Sequence, residues 1–208
     1  MFTGLIQTVA TVEDAREEPP GRRLMVRAPE IAADAVVGDS IAVSGCCLTV
    51  VKVASGVLEF EAGCETLART ILGRVVRGSR LNLEASLKVG DRLGGHFVTG
   101  HIDGVGTLLD RKTEQAWSTY WFGIDPKLIS FLAPKGSVAV DGVSLTLVDV
   151  EIDRFSVALI PHTLAHTTLG DLRVGGQVNI EIDLLARYVQ KMLGTALNDR
   201  PSGGSDVS

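Results

Sequence analysis

The sequence predicts an all-β fold: two tandem, homologous antiparallel sandwiches or barrels of about six strands each, followed by a C-terminal α-helix. Three observations predict it. Residues 40–84 align with residues 137–181 at a constant offset of 97 without a gap, and 17 of the 45 pairs are identical, far above chance for ordinary composition. Within each copy, short runs of Val, Ile, Leu, Thr and Phe alternate with polar residues and break at Gly, Asp, Ser or Pro about every eight to twelve residues. After the second copy the period changes, as Leu184, Leu185, Tyr188, Val189, Met192, Leu193, Ala196 and Leu197 recur at helical spacing.

The repeat fixes the order of elements. SIAVSGCCLTVVKV matches SVAVDGVSLTLVDV, ETLARTILG matches HTLAHTTLG, and GSRLNLE matches GGQVNIE. Upstream, Pro29 pairs with Pro126 at the same offset and Thr3-Gly4 with Thr99-Gly100 at 96, so the intervening loop holds one extra residue. Leu87 to Leu93, around Gly90, reads as the linker, which divides the chain into copies at 1–89 and 90–182. Cys64 to Leu72 and His162 to Leu169 each have room for a short helix. The terminal helix is expected over 183–197, with Asp183 as its cap and Arg187, Gln190 and Lys191 opposite the apolar stripe. That stripe is broad and lies outside the repeat, which favours self-association over packing on its own barrel. Residues 198–208, NDRPSGGSDVS, read as a polar, disordered tail.

Composition narrows the function classes. Of 208 residues 45% are hydrophobic, enough for a core in each copy, and 20 Lys+Arg against 25 Asp+Glu leave a net charge of -5 with no block of like charge. A nucleic-acid partner is not expected. The opening MFTGLIQTVATV lacks the basic start and long apolar run of a signal peptide, and no stretch is apolar enough to span a bilayer, so a cytoplasmic protein without a membrane partner is expected. Cys46, Cys47 and Cys64 are odd in number and two are adjacent, which argues against a disulfide framework.

Strand parity proposes a site. In the second copy Val143, Leu145 and Leu147 share one face and Ser144, Thr146 and Val148 the other. If the apolar set fills the core, Ser144 and Thr146 stand outside, two hydroxyls roughly 7 Å apart, a spacing suited to the edge of a planar heterocycle. In the first copy the same parity puts Cys46, Leu48 and Val50 inward and Cys47 and Thr49 outward. Outward Ser and Thr are ordinary on one half-buried strand; their recurrence in both copies points to a duplicated ligand site. The copies also differ: Phe2, Leu5, Ser44, Cys47, Cys64 and Glu65 are replaced by Val98, His101, Asp141, Ser144, Pro161 and His162. Two related pockets could thus hold one ligand in different chemical roles. His96 and His101 in HFVTGH would sit on opposite faces of a strand, with no Cys or carboxylate set to complete a site, so no metal is expected. GGHFVTG and GDLRVGG lack the context of a phosphate or dinucleotide loop. Cys47 has no neighbouring cation in sequence to stabilise a thiolate.

These residues resemble the riboflavin synthase alpha-chain family. MFTG, GCCLTV, ETL, NLE, GGHFVTGHIDG, KGSVAVDGVSLTLV, LIPHTLAHTTLG and VNIEID carry the resemblance, which runs from Met1 to about Tyr188. It implies two six-stranded Greek-key barrels and a helix that makes a homotrimer, with active sites between the first barrel of one subunit and the second barrel of another. It also implies a transferase reaction: two molecules of 6,7-dimethyl-8-ribityllumazine exchange a four-carbon unit to give riboflavin and a ribitylaminopyrimidine, without metal or cofactor. By the resemblance Gly4, Leu5, Ile6, Ser40, Cys47, Leu48, Thr49, Ala62, Gly63, Cys64, Glu65 and Thr66 belong to one pocket. Gly100, His101, Ile102, Lys135, Ser144, Leu145, Thr146, Ile160, Pro161, His162 and Thr163 belong to the other. His101 is the candidate to move the proton of the acidic C7 methyl, because an unperturbed imidazole titrates near neutrality. Ser144 and Thr146, and Cys47 and Thr49, would orient ring atoms or add to the second lumazine. Phe2 would support stacking, and Asp141 and Asp183 match further catalytic positions of the family. Ser44 departs from the Asn common in relatives, and His162 from the common Glu. A lumazine synthase shell is a candidate partner that no motif decides. Two rivals stand beside this reading: a non-catalytic lumazine- or flavin-binding protein, and a pair of oligonucleotide-binding barrels, which the 5% aromatic content and negative charge fit badly.

Overall fold

The computed structural model describes residues 1–198. Twelve strands among them form two closed antiparallel barrels. The first takes β1 (Thr8–Glu18), β2 (Gly21–Arg27), β3 (Ser40–Val43), β4 (Cys46–Ala54), β5 (Val57–Gly63) and β6 (Arg80–Ala85) in the ring order β1-β2-β5-β4-β3-β6. The second takes β7 (Gly104–Glu114), β8 (Trp117–Gly123), β9 (Ser137–Val140), β10 (Val143–Val150), β11 (Arg154–Leu159) and β12 (Gln177–Ile182) round the same path. In each, the third strand pairs with the sixth and the second with the fifth, the Greek-key connection that closes the ring and removes open edges.

Period-two patterning fills the barrels. Val12, Leu24, Val26, Val43, Leu58 and Phe60 are fully enclosed in the first, and Leu108, Tyr120, Phe122, Phe155 and Val157 in the second. Four short helices connect the strands, α1 (Pro29–Ala32), α2 (Cys64–Arg69), α3 (Pro126–Ile129) and α4 (Pro161–His166), and α1 buries Ile31 and Ala32 against the first core. The Thr70 hydroxyl accepts the Leu72 N–H, and Thr167 does the same for Leu169, so equivalent residues start a 3-10 turn after α2 and after α4. The final helix, α5 (Leu184–Asn198), begins where expected, with Asp183 Oδ1 accepting the Leu185 N–H at 2.9 Å. Ala186 packs on the second barrel, whereas Leu185, Tyr188, Val189, Met192 and Leu193 are 56–71% exposed. The side chains of Ala196 and Leu197, and the tail from residue 199, lie outside the described residues. No described helix is long and apolar enough to cross a membrane.

The two barrels meet about a pseudo-twofold axis, so equivalent residues face one another. Phe2 and Val98 exchange backbone hydrogen bonds and enclose a small cluster with Ala42 and Ala139. Asn82 Nδ2 donates to Asp141 O at 2.9 Å while its Oδ1 accepts the Thr168 N–H. Asn179 repeats this with Ser44 O and the Ile71 N–H, both at 2.8 Å. Both asparagines are fully buried.

Candidate functional site

The parity argument holds in three dimensions. Cys46, Leu48 and Val50 are buried in the first barrel and Val143, Leu145 and Leu147 in the second, while Cys47 and Ser144 are half-buried and Thr49 and Thr146 exposed. Ser40 lies opposite Thr49, as Ser137 does opposite Thr146. Two-residue turns with positive φ throughout, Ser44-Gly45 and Asp141-Gly142, close the β3–β4 and β9–β10 hairpins. They bring Gly45 and Gly142 so close that a Cβ on Gly45 would sit 2.7 Å from the Gly142 nitrogen.

A buried carboxylate fixes the segment entering each barrel. Glu84 Oε1 accepts the N–H and hydroxyl of Thr3, both at 2.7 Å, and its Oε2 accepts the Gly4 N–H at 2.9 Å. Glu181 does the same for Thr99 and Gly100. Burial raises both carboxyl pKa values against the pull of those donors. Each segment then crosses to the other barrel: Ser144 N–H donates to Gly4 O at 2.8 Å, and Cys47 N–H to Gly100 O at 2.9 Å. Positive φ and the missing Cβ at Gly4 and Gly100 permit this approach, since a side chain there would overlap Ser144 or Cys47. Ile6 correspondingly packs on the second core and Ile102 on the first.

That crossing departs from the grouping the resemblance implied. Gly4, Leu5 and Ile6 join Ser144, Leu145 and Thr146, with Lys135 held beside them by its N–H to Leu147 O at 2.8 Å. Gly100, His101 and Ile102 join Cys47, Leu48 and Thr49. The antiparallel register Leu147↔Val157 carries Ser144 toward Ile160, and Val50↔Phe60 carries Cys47 toward Gly63. That register places Ile160, Pro161, His162 and Thr163 at the Ser144 end of β10, and Ala62, Gly63, Cys64, Glu65 and Thr66 at the Cys47 end of β4. Leu48, Leu145 and Ala62 face inward and are buried. Among the outer residues Glu65 is paired with Arg69, and His162 stacks on His166 with ring centroids 4.1 Å apart. Beside Ser40 lies a cavity of about 490 Å³ that also takes in Gln7, Asp39 and Lys88.

Two catalytic expectations and one of strand geometry need correction. Phe2 is 0% exposed between the barrels, so it pins them together and cannot stack on a ring. Asp141 is likewise interior, accepting the Asn179 N–H at 2.7 Å on Oδ1, and touches neither cradle's outer face. Residues 95–103 are not a strand, Val98 alone forming a bridge, so the opposite-face argument for His96 and His101 fails. His96 Nδ1 lies 2.7 Å from Ser144 Oγ, with Gly95 leaving room for the contact, and its Nε2 is buried without a hydrogen-bond partner. Burial lowers the His96 pKa while the charge of Asp183 works the other way. A neutral imidazole beside a serine hydroxyl can accept its proton. His101 is exposed, in the Cys47 cradle. The first repeat has no residue equivalent to His96, which precedes the aligned stretch, so the comparison of copies could not single it out. Burial and the neighbouring Cys47 and Glu181 push the Cys46 thiol up to about 12, leaving it a neutral core residue.

Asp141 gives a pH prediction. Burial raises its pKa from 3.8 to about 7, so the unfolded chain ionises first and folding stability falls as pH rises between those values. In the first barrel Ser44 Oγ meets the equivalent Asn82 N–H. Asp141→Ser should remove up to about 4 kcal/mol of the fall in stability between pH 4 and pH 8. Chemical denaturation at both pH values checks this, and identical pH slopes for variant and parent would refute it. Glu84 and Glu181 shift in the same direction and are common to both proteins.

Comparison with known proteins follows this geometry. The lumazine binding domain family model matches residues 3–86 and again 99–183. The riboflavin synthase of Chlamydia pneumoniae is 42% identical over 204 residues, covering 96% of this chain and 100% of that protein. Those of Mycobacterium tuberculosis and Actinobacillus pleuropneumoniae are 40% and 37% identical, covering 94% and 97% of this chain and 100% and 94% of those proteins. Among solved structures, LumP complexed with riboflavin superposes with a TM-score of 0.81 at 27% identity, covering 88% of this chain and 99% of LumP.

Proposed function

The chain belongs to the riboflavin synthase family, a family of transferases, and from that premise we propose that it converts two molecules of 6,7-dimethyl-8-ribityllumazine into riboflavin and 5-amino-6-(D-ribitylamino)uracil. The observation that carries the reading is the pair of cradles, alike in backbone and unlike in reactive groups: Cys47, Thr49 and His101 in one, Ser144, Thr146 and His96 in the other. A dismutation needs this asymmetry, because one substrate gives up four carbons and the other receives them. The exchange is redox-neutral, so it needs acid–base chemistry and positioning.

The first step is loss of a proton from the C7 methyl, whose anion is delocalised into the electron-poor ring. His101 moves that proton, and Ser144, with His96 as acceptor, adds to or polarises the second ring. Backbone groups of Gly4 to Ile6 and Gly100 to Ile102 meet the ring edges. Holding two like molecules together contributes up to roughly 7–11 kcal/mol in ideal cases. The exposed stripe Leu185, Tyr188, Val189, Met192 and Leu193 supports a homotrimer through α5. In that assembly the first-barrel cradle of one copy meets the second-barrel cradle of another, so His101 and Ser144 serve one substrate pair.

Mixing the protein with the lumazine should produce riboflavin fluorescence, with one riboflavin formed per two lumazines consumed. Binding without conversion would identify a carrier instead. His101→Gln should lower kcat about 100-fold with the dissociation constant of the lumazine changed less than about threefold. Equal losses in both would assign His101 to binding alone.

A further inference from the structure

The repeat closes one turn twice, with different chemistry. In the first barrel Gln7 N–H donates to Leu83 O, and its side-chain Oε1 accepts the Ala85 N–H at 2.9 Å. At the equivalent place in the second barrel Asp103 N–H donates to Ile180 O, and its Oδ2 accepts the Ile182 N–H at 2.7 Å. A neutral amide thus suffices for the turn. A carboxylate there carries a desolvation cost, and burial raises the Asp103 pKa. What distinguishes the second turn is Arg187, near the start of α5. Its Nη2 lies 2.6 Å from Asp103 Oδ2 and donates to His101 O at 3.1 Å. A cation near a helix N-terminus opposes the helix dipole, so helix stability does not account for Arg187. The contact to the carbonyl of His101 does.

We propose that Arg187 and Asp103 are positioning residues that tie α5 to the segment Gly100 to Asp103, so that the helix joining copies of the chain also sets the geometry of His101 in the first-barrel cradle. The inference rests on the reading of His101 as the proton-moving group. It explains why the turn is charged only where a helix follows it.

The test uses Arg187→Gln and Asp103→Gln in the full chain, the second supplying the amide that already closes this turn in the first barrel. Each should lower kcat about tenfold with KM within about twofold, and the double variant should be no slower than either single one. In a His101→Gln background Arg187→Gln should have no further effect on kcat. Amide exchange at His101 to Asp103 should accelerate in both single variants while Leu5 to Gln7 stay unchanged. Unchanged kcat in both single variants, a multiplicative loss in the double one, the full tenfold loss in the His101→Gln background, or dissociation of the assembly would each overturn the proposal. A parent protein that forms no riboflavin would overturn this inference together with the reading beneath it, whereas active variants of an active parent would overturn the inference alone.

Discussion

Ser144→Ala is expected to lower kcat by about 1000-fold while lumazine binding survives. The residue stands at the start of β10, half-buried, with its N–H committed to Gly4 O and its hydroxyl 2.7 Å from His96 Nδ1. The backbone bond holds the strand in place without the hydroxyl, so the variant should keep its fold. What it loses is an activated oxygen, and general-base activation by a positioned histidine contributes roughly 10²–10⁴-fold. His96→Gln should produce a similar loss, and the double variant little more, because the two act as a unit. The pH profile gives an independent check. In the proposed mechanism His96 and His101 both act in their neutral forms; burial lowers the His96 pKa from 6.5, so the part of the kcat/KM acid limb set by His96 should lie below that value and persist in His101→Gln. Asp183→Asn removes the charge that favours protonated His96 and should move this acid limb to still lower pH. Stopped-flow riboflavin fluorescence across pH 4.5–9, a range of about four to five pH units around the histidine pKa, reads both effects. Ser144→Ala turning over within threefold of the parent would remove Ser144 and His96 from the mechanism.

Asn179→Ala is expected to destabilise the protein by about 3–4 kcal/mol, lowering the melting temperature by roughly 10 °C. The side chain is fully buried between the barrels, where its amide serves Ser44 O and the Ile71 N–H. Truncation leaves both without a partner in the interior, and each orphaned group costs about 1–3 kcal/mol. Asn82→Ala should cost a comparable amount through Asp141 O and the Thr168 N–H, because the pseudo-twofold gives it the same surroundings. Urea denaturation measures both variants. A loss below about 1 kcal/mol for Asn179→Ala would mean that water replaces the amide and that the asparagine pair does not hold the barrels together.

Much of this was legible in one dimension. The offset of 97 announced two copies, period two named which face of β4 and β10 fills each barrel, and the change to helical period after Ile182 located α5 with Asp183 at its head. Those patterns are local: a strand's parity and a helix's stripe depend on neighbours a few residues away. The alignment also marked Asn82, Glu84, Asn179 and Glu181 as shared, but a pairing in sequence carries no direction in space.

Sequence alone determined the all-β duplicated architecture, the outward placement of Cys47, Thr49, Ser144 and Thr146, and the family to which they belong. Only the tertiary structure decided that Gly4 lies against Ser144 and Gly100 against Cys47, that Phe2 and Asp141 are interior, and that His96 is the partner of Ser144. The physical reason is that burying the faces the two barrels share brings residues distant in sequence into contact. Which of them meet is set by the axis relating the barrels and by two glycines that allow the chain to cross, and neither leaves a period in the sequence.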